Sequence, residues 1–118
     1  MALRQRLTAA SADADAAAGF SVVVQDILVG ADLPAFLGRL RHRPLYAVVL
    51  APDVASVRRR EAARAKTGYG SGRTIEDLDR IFRAETLRVG LWLDPSAQTP
   101  AETADEIWRR MWTEAAWS

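Results

Sequence analysis

Two stretches carry residue types suited to chemistry. Val22-Val23-Val24-Gln25-Asp26 reads as a hydrophobic strand ending in a carboxylate. In an α/β sheet, ligands collect beyond the carboxyl ends of the strands. An acid there holds a hydrated Mg²⁺ on a nucleotide or acts as a base. Asp26 is the candidate for that work, and the plainer role open to it is capping the turn that follows. The second stretch is cationic: Arg58, Arg59, Arg60, Arg64 and Lys66, with Arg73 beyond the glycine-rich Gly68-Tyr69-Gly70-Ser71-Gly72. Arg60 and Arg64 are four apart and share a helix face. Guanidinium groups grip phosphate bidentately. A cation cluster beside a flexible hinge suits a lid, at about residues 54–84, that closes on transferring phosphates. Cations in a last helical turn also suit the helix dipole, which is the other reading of the same residues.

Other candidates carry less. The glycine stretch follows a helix rather than a strand, and no Gly-Lys-Ser/Thr ends it, so it reads as a connector and not as a phosphate cradle. His42, between Arg41 and Arg43, reads as a solvated residue at a helix end. No Ser stands in a nucleophile motif. With no cysteine and one histidine, thiolate metal sites are excluded and a histidine-built one is disfavoured, so no direct protein cage for a metal is expected.

The 118 residues make about one domain. A composition of 49% hydrophobic and 26% charged residues excludes a disordered or collagen-like chain. No apolar run has the length of a membrane span, and Asp13 and Asp15 interrupt the only Ala-rich stretch near the start. These features predict a reduced, cytoplasmic protein. The net charge of +1 hides an asymmetry: Arg39 to Arg73 holds nine Arg or Lys against Asp53 and Glu61, a net +7, leaving −6 on the rest. Such a basic middle on a near-neutral chain fits a small anionic ligand better than nucleic acid.

Those residues must be positioned by alternating elements. Leu3, Leu7, Ala10, Ala14 and Ala17 are spaced for a helix over Ala2 to Ala18, which Gly19 stops. Phe20–Val24, Leu45–Leu50 and Val89–Leu93 are short continuous apolar runs, as in strands buried on both faces. Between them fall helices from Asp32 to about Arg41, with Leu33, Phe36, Leu37 and Leu40 on one face, from Asp53 to about Lys66, and from Thr74 to about Glu85. Thr99, Pro100 and Glu102 start a last helix that runs to about Ala116. On it Ala104, Ile107, Trp108, Met111 and Ala115 form a predicted core stripe, with Trp112 and Trp117 to its side. The expectation is α/β with a parallel sheet of about three strands.

Ala18-Gly19-Phe20-Ser21-Val22-Val23-Val24-Gln25-Asp26 resembles the helix-to-strand passage of small P-loop kinases of the chloramphenicol phosphotransferase and zeta-toxin type. Leu45 to Pro52, Val57 to Glu61, Lys66-Thr67-Gly68-Tyr69-Gly70, Gly90-Leu91-Trp92-Leu93-Asp94 and Thr99-Pro100-Ala101-Glu102-Thr103 continue the likeness. It covers nearly the whole chain, as the C-terminal two-thirds of such a kinase. The resemblance implies a three-layer parallel sheet of P-loop NTPase type, here truncated, because no Gly-x-x-x-x-Gly-Lys-Ser/Thr occurs. It further implies Mg-ATP and a small hydroxylated acceptor as ligands of a complete relative. Asp26 would be the acid near metal or acceptor; Arg60, Arg64, Lys66 and Arg73 would be lid residues on the phosphates.

The functional expectation is an ATP-dependent phosphotransferase-like region, inactive alone for want of the Walker A loop. The alternative is a non-catalytic α/β module that self-associates or binds a protein partner through an exposed sheet edge or the Trp-bearing last helix. An anion- or RNA-binding module is a third reading, weakened by the lack of interleaved aromatics in the basic segment.

Overall fold

The apolar face read for Leu33, Phe36, Leu37 and Leu40 forms the centre of the molecule: all four side chains are buried. The computed structural model describes residues 2–28, 30–63, 75–86 and 88–117. Helix α1 spans Leu3–Ala17 and α2 spans Asp32–Arg39. The two pack together through Ala9 and Ala12 of α1, with Gln5 also buried. Leu3 and Leu7, spaced as inward residues, are instead exposed. The reason is steric, since the alanine face brings two helix backbones closer than a leucine face would. Asp13 of α1 secures the chain leaving α2, its carboxylate accepting from the backbone N–H groups of Arg41 and His42 at 3.0–3.1 Å.

The three-stranded parallel sheet is not the architecture. Leu45–Leu50 breaks at Ala47 into β1 (Leu45–Tyr46) and β2 (Val48–Leu50). β1 pairs antiparallel with β4 (Ala116–Trp117), while β2 pairs parallel with β3 (Leu91–Leu93), Val48 opposite Leu91 and Leu50 opposite Leu93. Ala47 is the switch between the two sheets. Its N–H donates to the Ala115 carbonyl and its own carbonyl accepts from the Leu91 N–H, both at 2.9 Å. Phe20–Val24, the remaining strand expected from sequence, is not assigned as strand and pairs with none among the described residues. Val22 and Val24 lie along α1 instead, while Val23 is 94% exposed. An apolar run becomes a strand only where a neighbour meets its N–H and C=O groups. Here no neighbour does, so the truncated P-loop-type sheet gives way to two two-stranded sheets with five helices among the described residues.

Between β2 and β3 lie α3 (Val54–Ala63) and α4 (Ile75–Glu85), which pack on each other. Arg83 of α4 donates to the carbonyls of Ala51 and Pro52 at 3.3 and 3.0 Å, fixing that helix to the carboxyl end of β2. Phe82 stacks on Trp92 at 5.1 Å between ring centres, and the Arg88 guanidinium lies 4.6 Å over the same indole.

Helix α5 (Pro100–Glu114) begins with the predicted capping box. The Thr99 hydroxyl accepts from Glu102 N–H at 3.2 Å, and the Glu102 carboxylate accepts from Thr99 N–H at 2.8 Å. Ile107, Met111 and Ala115 pack on the second core cluster with Leu91 and Leu93. Trp108 departs from its predicted place: it is 66% exposed, and Ala104 is exposed beside it. No helix among the described residues is long and apolar enough to cross a membrane.

Candidate functional site

The parallel pair ends in two short acidic turns, and these build the site. After β2 comes Ala51-Pro52-Asp53. The Asp53 carboxylate accepts from Ser56 N–H at 2.7 Å, capping α3, while Asp53 N–H donates to the Ser96 hydroxyl oxygen at 2.8 Å. After β3 comes Asp94-Pro95-Ser96. The Asp94 carboxylate accepts from Ser96 N–H at 3.0 Å and from the Ser96 hydroxyl at 2.5 Å. Ser96 therefore ties the two strand ends together.

These bonds hold both acids ionised. The Ser56 backbone N–H, then the Ser56 side chain, pulls the Asp53 carboxyl below its ordinary range. The Ser96 hydroxyl and then its N–H do the same for Asp94. Their lone pairs are spent on positioning the turns.

The cations point the other way. Arg59 donates to the buried Ser56 hydroxyl at 3.0 Å, and Arg60 reaches the Pro95 carbonyl at 3.5 Å. Among the described residues neither guanidinium is ion-paired within 4 Å. Ser56, Arg59, Arg60 and Ser96 line a concavity of about 290 Å³ beyond the carboxyl ends of β2 and β3. Two forked guanidinium donors and the Ser56 hydroxyl suit a tetrahedral oxyanion such as a phosphoryl group, while the Ser96 hydroxyl proton is committed to Asp94. Arg58 has a different place, paired with Glu76 of α4.

Of the residues singled out in the sequence, Arg60 is in this concavity. Asp26 is elsewhere: its carboxylate pairs with Arg4 of α1 and accepts from Ile27 N–H at 2.7 Å, with its side chain 12% exposed. A second concavity of about 320 Å³ lies near it, between α1 and the segment that follows it, lined by residues including Leu7, Ser11, Asp15, Val22 and Val24. Arg64, Lys66 and Arg73 lie outside the described residues. Ser56 and Ser96 were not picked out by motif, and Arg59, named in the cationic cluster but not as a phosphate ligand, lines the concavity beside Arg60. The signal was present for the two serines: Asp53-x-x-Ser56 is a helix-capping spacing, and Asp94-Pro95-Ser96 is a strand-end turn. Among the described residues no group of three or more His, Cys, Asp or Glu is placed to hold a metal ion.

Compared with protein-family models, with characterised proteins and with solved structures, the chain matches none.

Proposed function

We propose that this chain is the phosphate-gripping part of an ATP-dependent phosphotransferase acting on a small hydroxylated acceptor. The observation that carries the reading is the concavity of Ser56, Arg59, Arg60 and Ser96 beyond the carboxyl ends of a parallel strand pair. That is where α/β proteins bind ligands, and phosphoryl transfer is mostly positioning and charge neutralisation. Arg60 anchors the grip; Arg64, Lys66 and Arg73, which lie outside the described residues, are the further phosphate ligands that the family resemblance implies. Asp26, held by Arg4 away from this concavity, is left out of the grip. Mg-ATP needs a Walker A loop, which this sequence lacks, so the chain alone turns over little.

The test supplies that loop. A Walker A strand-loop-helix segment is joined ahead of Met1, and phosphoryl transfer from Mg-ATP is assayed with a panel of small alcohols. Transfer is expected, and Arg64→Ala should lower turnover by about 10³-fold, the scale of a charge-neutralising arginine. Full turnover without Arg60 and Arg64 would return the helix to a solvated role.

A second reading is favoured by a different observation. Phe20, Val23 and Ile27 are 69%, 94% and 74% exposed along a segment with no strand partner among the described residues. Such a segment accepts an extended strand from a protein partner, its main chain giving affinity and its valines specificity. Under this reading the chain is a non-catalytic binding module.

A further inference from the structure

We infer that the chain forms an antiparallel homodimer through the exposed face of α5. The inference does not depend on the phosphate site. Ala101, Asp105, Trp108 and Trp112 follow one another at spacings of four, three and four, which places them on one stripe of the helix. All four are exposed, with Trp108 at 66% and Trp112 at 48%, whereas Ile107 and Met111, about 100° round the helix, meet the core. The indoles are held edge to face, 5.0 Å between centres, and Trp112 also rests edge-on against Tyr46 at 5.3 Å. This preorganisation lowers the ordering cost of burying them.

The occupant follows from size and charge along that stripe. Its N-terminal half is small (Ala101, with Ala104 beside it) and its C-terminal half is large. A second copy running antiparallel sets Trp112 on the second copy's Ala101 and Trp108 on the second copy's Asp105. A parallel copy would set indole on indole and acid on acid. About a two-fold axis perpendicular to the helix pair, each edge of the stripe meets itself. Arg109 then falls level with Asp105 and Glu102 of the second copy, and the same contact repeats once. Neither Asp105 nor Arg109 forms an ion pair or side-chain hydrogen bond among the described residues, and the Trp108 indole N–H likewise has no acceptor among them. The antiparallel contact supplies partners for all three.

The size of the patch sets the strength. The two indoles expose roughly 250 Å² per copy. With their flanking residues the pair buries about 1,000 Å², the low end for a specific interface. Interfaces of this size are weak and transient, so association is read at high protein concentration.

Sedimentation equilibrium of the full chain tests this across a concentration series. The mass should rise from 13.0 kDa towards twice that value. Trp108→Ala should weaken association by about tenfold or more, as truncation of an interface tryptophan does. Asp105→Arg alone should weaken it as well, by setting arginine against arginine, and Asp105→Arg combined with Arg109→Asp should restore it. Circular dichroism checks that each variant stays folded; all these positions are exposed. A mass that stays at 13.0 kDa up to about 1 mM overturns the proposal and leaves the face to a different partner. Association unchanged in both single variants overturns it too, by placing the interface elsewhere.

Discussion

Gly90 sits against the carbonyl of Ala47, so close that a Cβ at position 90 would collide with it. That contact lets the Ala47 carbonyl accept from Leu91 N–H while the Ala47 N–H is bonded to Ala115. Gly90 also holds φ at +75°, which a side chain resists. Both sheets thus depend on one residue without a side chain. Gly90→Ala should cost about 2 kcal/mol or more, read as a lowered urea midpoint. Gly38, in α2, has open space where its Cβ would stand. Gly38→Ala should stabilise by about 0.5 kcal/mol from helix propensity. If both alanines behave alike, the Gly90 account is wrong.

The buried Thr86 hydroxyl accepts from the Gly30 N–H at 2.7 Å, joining the end of α4 to the start of α2. Thr86→Val keeps the shape and orphans that donor. A loss of about 1–3 kcal/mol is the usual cost of a buried unsatisfied group. Thr86→Ser should recover most of it. Faster hydrogen exchange at the Gly30 amide in the valine variant, and not in the serine one, checks the assignment.

Both turn acids are held below their ordinary titration range, Asp53 by Ser56 and Asp94 by Ser96. The sign follows from linkage: a depressed folded-state value adds stability above the unfolded value, about 3.9 for an aspartate, and that stability is lost as pH falls through the folded value. Asp94→Asn should therefore be less stable than the parent at pH 7, with the two converging below about pH 4. Urea midpoints measured from pH 7 down to 3 test this. Parallel curves for parent and variant would show that Asp94 is not stabilised by the Ser96 turn.

The helices were readable because their signals are local. The α5 capping box, the apolar face of α2 and the stop at Gly19 each need only neighbouring residues, and all three are found. Of the sheets only the parallel pairing of Leu45–Leu50 with Val89–Leu93 was readable, and only in part. Leu45–Leu50 reads as one strand because its side chains are uniformly apolar, yet the hydrogen bonds of Ala47 divide it between Ala115 and Leu91, residues far along the chain. Phe20–Val24 has strand composition but no strand partner among the described residues, and composition cannot supply one. Trp108 was assigned inward because its spacing matches Ile107 and Met111, though only those two face the core. At the site, Arg60 was legible from its cluster. Ser96 was not, because its role depends on β3 lying beside β2.

The central claim is that Arg59 and Arg60 grip phosphate beyond the parallel pair. Titrating the chain with Mg-ATP, followed by amide NMR shifts, tests it most directly. The account predicts saturable binding with a dissociation constant of about 1 mM, since the Walker A contacts are lacking. Shifts should concentrate at Ser56, Arg60 and Ser96, and Arg59→Ala with Arg60→Ala should remove saturation. Binding that survives the double substitution, or shifts that gather away from these residues, would contradict the assignment. A low-micromolar affinity would contradict the claim that a missing loop carries most of the grip.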